Sequence, residues 1–235
     1  MTFRQYLCVV LIGLLTTPFF SQTGQAFDYN SSIRETYNHN WSIGAGVNVV
    51  VDNASQNTGL TDPGDSWNFS RPFYVSAEFY LNNQFSFMSM ISFNQYTEGK
   101  NIDALYIIEG HEASYFAWDV NAKYYFRDLI KTYNFDPYVF LGAGYTDIGE
   151  YKGIPNNENN PPDLEFDEDG NYIAPSIGRL TFNAGLGFNF WFSDTWGLNL
   201  NLAGKWGIPN SDYDKEANVI SNQFQYSLGA LYVLK

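Results

Sequence analysis

From Trp41 to the C-terminus one rhythm keeps returning: a large apolar residue, then a small or amide one. In Arg179–Gly207, RLTFNAGLGFNFWFSDTWGLNLNLAGKWG, the even positions are Leu180, Phe182, Ala184, Leu186, Phe188, Phe190 and Phe192. The odd positions are Arg179, Thr181, Asn183, Gly185, Gly187, Asn189 and Trp191. After Ser193-Asp194-Thr195 the alternation resumes. Period two puts successive side chains on opposite faces of a β-strand. The chain must therefore build a sheet with one apolar and one polar face.

The same period marks Trp41–Val51, Phe73–Leu81, Phe85–Tyr96, Phe116–Phe126, Tyr138–Thr146 and Asn222–Leu234, for eight predicted strands with the two above. In Phe85–Tyr96 it is less clean, because Met88 and Met90 fall on the polar side. Connections alternate in length. Asn82–Gln84 and Ser193–Thr195 are tight polar turns, and Arg127–Pro137 is a medium one. The others, about Asp52–Pro72, Thr97–Tyr115, Asp147–Gly178 and Ile208–Ser221, are long and polar. Alternating short and long links describe an up-and-down meander. In an outer-membrane barrel the short turns face the periplasm and the long loops the exterior.

Volume and backbone chemistry decide which face meets which solvent. The interior of an eight-stranded barrel is just wide enough to be filled by side chains. Gly44, Gly46, Ser76, Asn121, Gly142, Gly144, Asn183, Asn199 and Asn201 suit such a lumen, and rows of Phe, Leu and Trp do not. In hydrocarbon every backbone N–H and C=O needs a partner, which a closed barrel supplies. Aromatic residues near the strand ends, among them Trp41, Phe73, Phe85, Phe126, Phe192, Trp196, Trp206 and Tyr232, fit girdles at the headgroup levels. A soluble barrel with inverted faces, as in a lipocalin, would carry many charges on its polar face. This polar face carries few: Glu78, Asp119, Lys123, Arg179 and Lys205. The expected fold class is all-β, an eight-stranded antiparallel up-and-down transmembrane β-barrel.

Before Trp41, Arg4 precedes the apolar run Tyr6–Leu15, and Gly24 and Ala26 fit a small-x-small cleavage rule. Residues 1–26 are expected to be a signal peptide and residues 27–235 the barrel domain. The run is shorter than the ~20 residues of a spanning helix. Cys8, the single cysteine, lies in this run, so the mature chain would have none and would not rely on disulfides. The formal charge of −13 argues against nucleic acid as a partner.

The leader, PYVFLGAGY, the hairpin GLGFNFWFSDTWGLNLNLAGKW and the closing FQYSLGALYVLK resemble the outer-membrane β-barrel domain of small porin-like, OmpA/OmpX-type proteins. The resemblance covers essentially the whole mature chain. The chain departs from the pattern at Leu234-Lys235, where a terminal aromatic belongs, although Tyr232 stands close by. No peptidoglycan-binding domain is expected after the eighth strand, so tethering to the cell wall is not.

Candidate chemistry is sparse. Counting up from the short turns places Glu78 and Lys123 at similar heights, with Asp119 and Lys205 higher and Arg179 near the outer mouth. Glu78, Lys123, Asp119 and Lys205 are expected to pair across the lumen, since buried ions need partners. Such pairs would make either a plug that fixes the barrel or a gate that swaps partners. In the third long loop Glu165-x-Asp167-x-Asp169-Gly170 resembles the start of a Ca²⁺ loop, although Ser176 stands where a bidentate Glu belongs. A bland reading is a solvated acidic loop. His39 precedes the first strand, and His111 lies in Glu109-Gly110-His111-Glu112-Ala113-Ser114. A base beside a hydroxyl could activate it, but the loop matches no catalytic motif, and no enzymatic activity is expected.

The function expected is that of an integral outer-membrane barrel with a structural or interaction role, or an accessory subunit of a larger assembly. Its partners would be outer-membrane lipids and proteins in the membrane or at the cell surface, with no cofactor beyond the candidate Ca²⁺. The alternative is a narrow porin-like channel or a carrier for small hydrophobic solutes. A third reading is a lipid-modifying enzyme centred on His111.

Overall fold

A computed structural model describes residues 41–52, 67–68, 70–102, 105–107, 110–130, 134–155, 168, 172–174, 176–208 and 222–234. The expected signal peptide (residues 1–26), His39, Glu165, Asp167 and Asp169 lie outside the described residues. The barrel is built from β1 (Trp41–Asp52), β3 (Ser70–Tyr80), β4 (Phe85–Tyr96), β7 (Ala113–Tyr125), β8 (Phe135–Ile148), β11 (Ile177–Trp191), β12 (Trp196–Gly207) and β13 (Asn222–Val233). A two-residue strand, β2 (Trp67–Asn68), also pairs with β1. Each long strand is antiparallel to the next, and β13 pairs with β1 from Ser42↔Val233 to Asp52↔Gln223, which closes the cylinder. This is the eight-stranded antiparallel up-and-down transmembrane β-barrel that the alternation predicts.

The registers fix the dimensions. Starting at Ser42, the paired residues run through Glu78, Met88, Asn121, Gly142, Asn183, Lys205 and Gln223 to Asp52, so one circuit climbs from 42 to 52. With ordinary strand rise and spacing, that offset over eight strands tilts them by about 40° and sets a radius of about 8 Å. A cylinder this narrow has room for side chains and little else.

The two faces divide as the parity dictates. Trp41, Ile43, Val47, Phe87, Trp118, Leu141, Leu180, Leu186, Leu200 and Leu228 are exposed on the outside. Glu78, Asp119, Asn121, Lys123, Asn183, Asn199, Asn201 and Lys205 are buried on the inside, and Met88 and Met90 join them. Apolar side chains are exposed and ions buried, the inverse of a water-soluble protein, as lipid outside and protein inside require.

Several boundaries differ from those read off the alternation. β3 starts at Ser70, not Phe73, and its ladder with β4 shifts register between Ser70 and Phe73, where Arg71 has φ +48°. An irregular residue breaks period two, so the pattern hides the first turn of the strand. β8 likewise reaches back through Pro137 to Phe135, inside the expected turn. That turn holds a single helical turn, α1 (Arg127–Ile130). The largest departure lies in the long links. Residues of Thr97–Tyr115 and Asp147–Gly178 form β5 (Asn101–Ile102), β6 (Leu105–Ile107), β9 (Tyr151–Pro155) and β10 (Tyr172–Ala174), a second sheet in the order β10-β9-β6-β5. Strands of two to five residues are too short to show a period, and only their pairing identifies them. Ile102, Ile107 and Tyr151 from this sheet pack with Val50, Tyr96, Tyr115 and Ile148 of the barrel wall.

Leu141 lies at the middle of β8 and is 59% exposed, whereas Trp196 starts β12 beside a tight turn. Leu141→Arg is expected to cost about 2–4 kcal/mol and Trp196→Arg about 0–1 kcal/mol, because the penalty follows depth in the bilayer. Urea unfolding of the refolded barrel in lipid vesicles measures both, and equal costs would contradict the assigned depth.

Candidate functional site: the charged lumen

Inside the barrel β7 acts as a spine. Its inward residues are Ala113, Tyr115, Ala117, Asp119, Asn121, Lys123 and Tyr125, all buried. The strand therefore offers an acid and a base four residues apart, about 13 Å along the strand. Each finds its counter-ion on another wall. Lys123 Nζ lies 2.9 Å from Glu78 Oε2 on β3, and Lys205 Nζ on β12 lies 2.9 Å from Asp119 Oδ1.

Both pairs are supported by further donors, as a buried charge requires. Glu78 accepts hydrogen bonds from the Ser86 hydroxyl at 2.5 Å and from the Tyr125 hydroxyl. Asp119 accepts from Asn183 Nδ2 at 2.8 Å, and Lys205 also donates to the Tyr115 hydroxyl at 3.4 Å. Around the lower pair the contacts form a ring. The Tyr125 hydroxyl accepts from Asn189 Nδ2 (3.2 Å), and Asn189 Oδ1 accepts from Asn199 Nδ2 (2.7 Å). Asn199 Nδ2 lies 2.7 Å from the Tyr138 hydroxyl, and Lys123 Nζ sits 4.3 Å from the centre of the Tyr138 ring. β3, β7, β8, β11 and β12 are thus tied together at one level.

The glycines on β11 make this possible. Gly185 and Gly187 stand opposite Phe140 and Tyr138 in the β8 ladder, and a Cβ on either would run into those rings. Small residues on one strand admit large ones from the next.

Alternation alone does not reveal the floor of the lumen. At the short-turn end Arg127 pairs with Asp136 at 2.9 Å, donates to the Asn83 carbonyl at 2.7 Å and lies 3.9 Å from the centre of the Tyr125 ring. Trp191 Nε1 also donates to Asp136, at 2.7 Å. Tyr80, Tyr125, Tyr138, Phe140 and Ala203 pack directly above, and Trp191 packs with Leu231 and Val233. The signal for Asp136 was present, since it shares parity with Tyr138 and Phe140, but Pro137 and the adjoining turn obscure it.

Arg179 is buried at the far end of β11, where it stands opposite Thr146 of β8. Among the described residues no group of three or more His, Cys, Asp and Glu side chains is placed to hold a metal, and the Ca²⁺ candidates Glu165, Asp167 and Asp169 are outside them. Ser176, at the position where that loop would need a carboxylate, donates to Asp147 at 3.4 Å. Near His111, Glu112 accepts from Gln95, and the Ser114 carbonyl accepts from Gly149 N–H at 2.9 Å. These loop groups are engaged in local packing.

No protein-family model matches the chain, and no curated sequence matches it. Solved structures do. Neisserial surface protein A aligns with a TM-score of 0.52 at 11% identity, over 83% of this chain and 97% of that one. OprG of Pseudomonas aeruginosa aligns at 0.49 and 12% identity, over 83% and 96%. Ail of Yersinia pestis aligns at 0.47 and 11%, over 83% and 97%. At such identities the likeness concerns the fold. The chain therefore has the fold of the small eight-stranded outer-membrane β-barrels of OmpA/OmpX type.

Proposed function

We propose that the protein is a closed, non-enzymatic outer-membrane barrel that acts through its surfaces, as an adhesive or structural element or an accessory subunit of a larger assembly. The observation that carries this reading is the occupied lumen. Two buried ion pairs cross it, aromatic rings and the Arg127–Asp136 pair fill its short-turn end, and an apolar cluster lies beneath the loop sheet at the other. A solute would have to displace all of them. On this reading the outer belt meets membrane lipid, the short turns face the periplasm, and the long acidic loops face outside and meet protein partners.

The competing reading is a narrow pore gated by exchange of ion partners. The geometry gives it little support. Lys123 would have to leave Glu78 for Asp119, about 13 Å away along the same strand, and Asp119 already holds Lys205 at 2.9 Å. Catalysis by the second long loop would require lipid-modifying activity that disappears in His111→Ala.

Planar-bilayer recording of the refolded protein tests the main reading. Silence is expected, and reproducible conductance steps would favour the pore. The same ion pairs set a stability scale. Lys123→Met and Lys205→Met are each expected to cost about 3–5 kcal/mol by leaving a buried carboxylate without its counter-ion. The two losses should add to within about 0.5 kcal/mol, because the pairs are well separated. Unfolding titrations of the single and double variants measure this. A Lys123→Glu variant unchanged in both stability and conductance would remove the plug and the gate alike.

A further inference from the structure

The turn between β7 and β8 is not the polar link its length suggests. Among the described residues Leu129 of α1 is the most exposed large apolar side chain, at 75%, and Ile130 beside it is 43% exposed. Single apolar residues on a water-facing surface are ordinary, but these two do not stand alone. The Leu129 and Ile130 N–H groups both donate to the Phe126 carbonyl, at 3.0 and 3.1 Å. That turn sets Phe126, Leu129 and Ile130 at i, i+3 and i+4, on one helical face. Phe126 already belongs to the outer face of the wall. Its ring meets Tyr124 edge-on at 5.3 Å, and the Tyr124 ring lies 5.1 Å from Phe85. The apolar row of the lipid-facing belt therefore runs past the end of β7 and onto α1. A helix of four residues does not hold itself together in water. Here Phe126 N–H donates to the Pro137 carbonyl at 2.9 Å. Arg127 turns the other way, to Asp136, the Asn83 carbonyl and the Tyr125 ring. The turn is thus clamped to the lumen floor with its apolar face outward.

We infer that α1 is a lipid-binding foot: Phe126, Leu129 and Ile130 lie in the headgroup and upper acyl region of the leaflet at the short-turn end and take phospholipid as their ligand. Continuity selects lipid over a docked protein. At the same end of the barrel Trp41, Leu81, Phe85, Phe192 and Trp196 are exposed as well, and they come from several different strands. A rim that is apolar around the cylinder suits a surrounding solvent, whereas one partner would cover one side. Short apolar faces of this kind sink into the boundary between headgroups and acyl chains. Because Arg127 follows Phe126 directly, the foot also sets the level at which the bilayer ends relative to the lumen floor. On the orientation proposed above the leaflet is the periplasmic one. The binding itself requires only that the barrel lie in a bilayer, and does not depend on whether the barrel conducts.

Site-directed spin labelling of the full chain tests it, in a Cys8→Ser background and in phospholipid nanodiscs that hold one barrel each. Nitroxides at Leu129→Cys and Ile130→Cys should be relaxed by oxygen several-fold more than by a water-soluble nickel chelate, as should one at Leu141→Cys on the outer face. A label at Asp194→Cys, in the exposed tight turn after β11, should favour the chelate. Leu129 and Ile130 labels that behave like the Asp194 label overturn the inference. Discs with a single barrel and no other protein leave lipid as the only source of shielding. Shielding that appears only when two barrels share a disc makes the face a contact between copies and also overturns it. Stability gives an independent readout. Leu129→Gln keeps a similar helix propensity and should lower the urea midpoint in phospholipid vesicles, because an apolar contact with lipid is lost. A leucine that faced water could be exchanged with almost no effect, so an unchanged midpoint contradicts the foot.

Discussion

Everything in this structure depends on the β1–β13 ladder. Without it two strands would present rows of unpaired N–H and C=O groups to hydrocarbon, at a cost of several kcal/mol each. Its register, Ser42↔Val233 through Asp52↔Gln223, also sets the offset gained in one circuit. That offset fixes tilt and radius, and the radius fixes how much side chain the lumen accepts. The alternation of large apolar with small or amide residues is then a volume requirement as much as a solvent preference. Phenylalanine and leucine face lipid partly because few of them would fit inside.

A lumen of that size cannot hold bulk water, so every ion within it needs a protein partner. β7 meets the requirement by carrying Asp119 and Lys123 on one inward face and reaching β12 and β3 with them. Because the two pairs share a strand, a disturbance of β7 reaches both, whereas a change at either counter-ion reaches one. The Tyr125–Asn189–Asn199–Tyr138 ring adds neutral groups between the charges. Such a circuit favours rigidity, since moving one member leaves its neighbours unsatisfied in a low-dielectric space.

Much of this was legible in the sequence, and the losses have physical causes. Phe85–Tyr96 and Trp196–Gly207 end where the alternation ends, because a tight turn or a clear break in period follows them. Parity places Glu78, Asp119, Lys123, Arg179 and Lys205 on the lumen face, and height above the turns matches acids with bases. Parity does not carry across an irregularity, so Arg71 hides the start of β3, and Pro137 hides Asp136 with the floor it helps to build. Nor does a single strand reveal its neighbours. The ring around Lys123 depends on which residues share a rung, and that follows from the registers of the ladders. The loop sheet depends on pairing between segments distant in sequence, β6 with β9 above all.

The placement of the lumen ions bears on how such a barrel is held closed. Ion pairs and rings on β3, β7, β8, β11 and β12 hold the wall at fixed distances, and Lys205 stands on the same rung as Gln223 of β13. Strand closure is the step that converts an open sheet into a barrel. Closure rests on the backbone ladder from Ser42↔Val233 to Asp52↔Gln223, and Glu78 and Lys205 anchor the two strands that flank it. At the long-loop end the cylinder carries the sheet of β10, β9, β6 and β5, whose Ile102, Ile107 and Tyr151 seat it on Val50, Tyr96, Tyr115 and Ile148 of the wall, so the links between the long strands are themselves anchored by apolar packing.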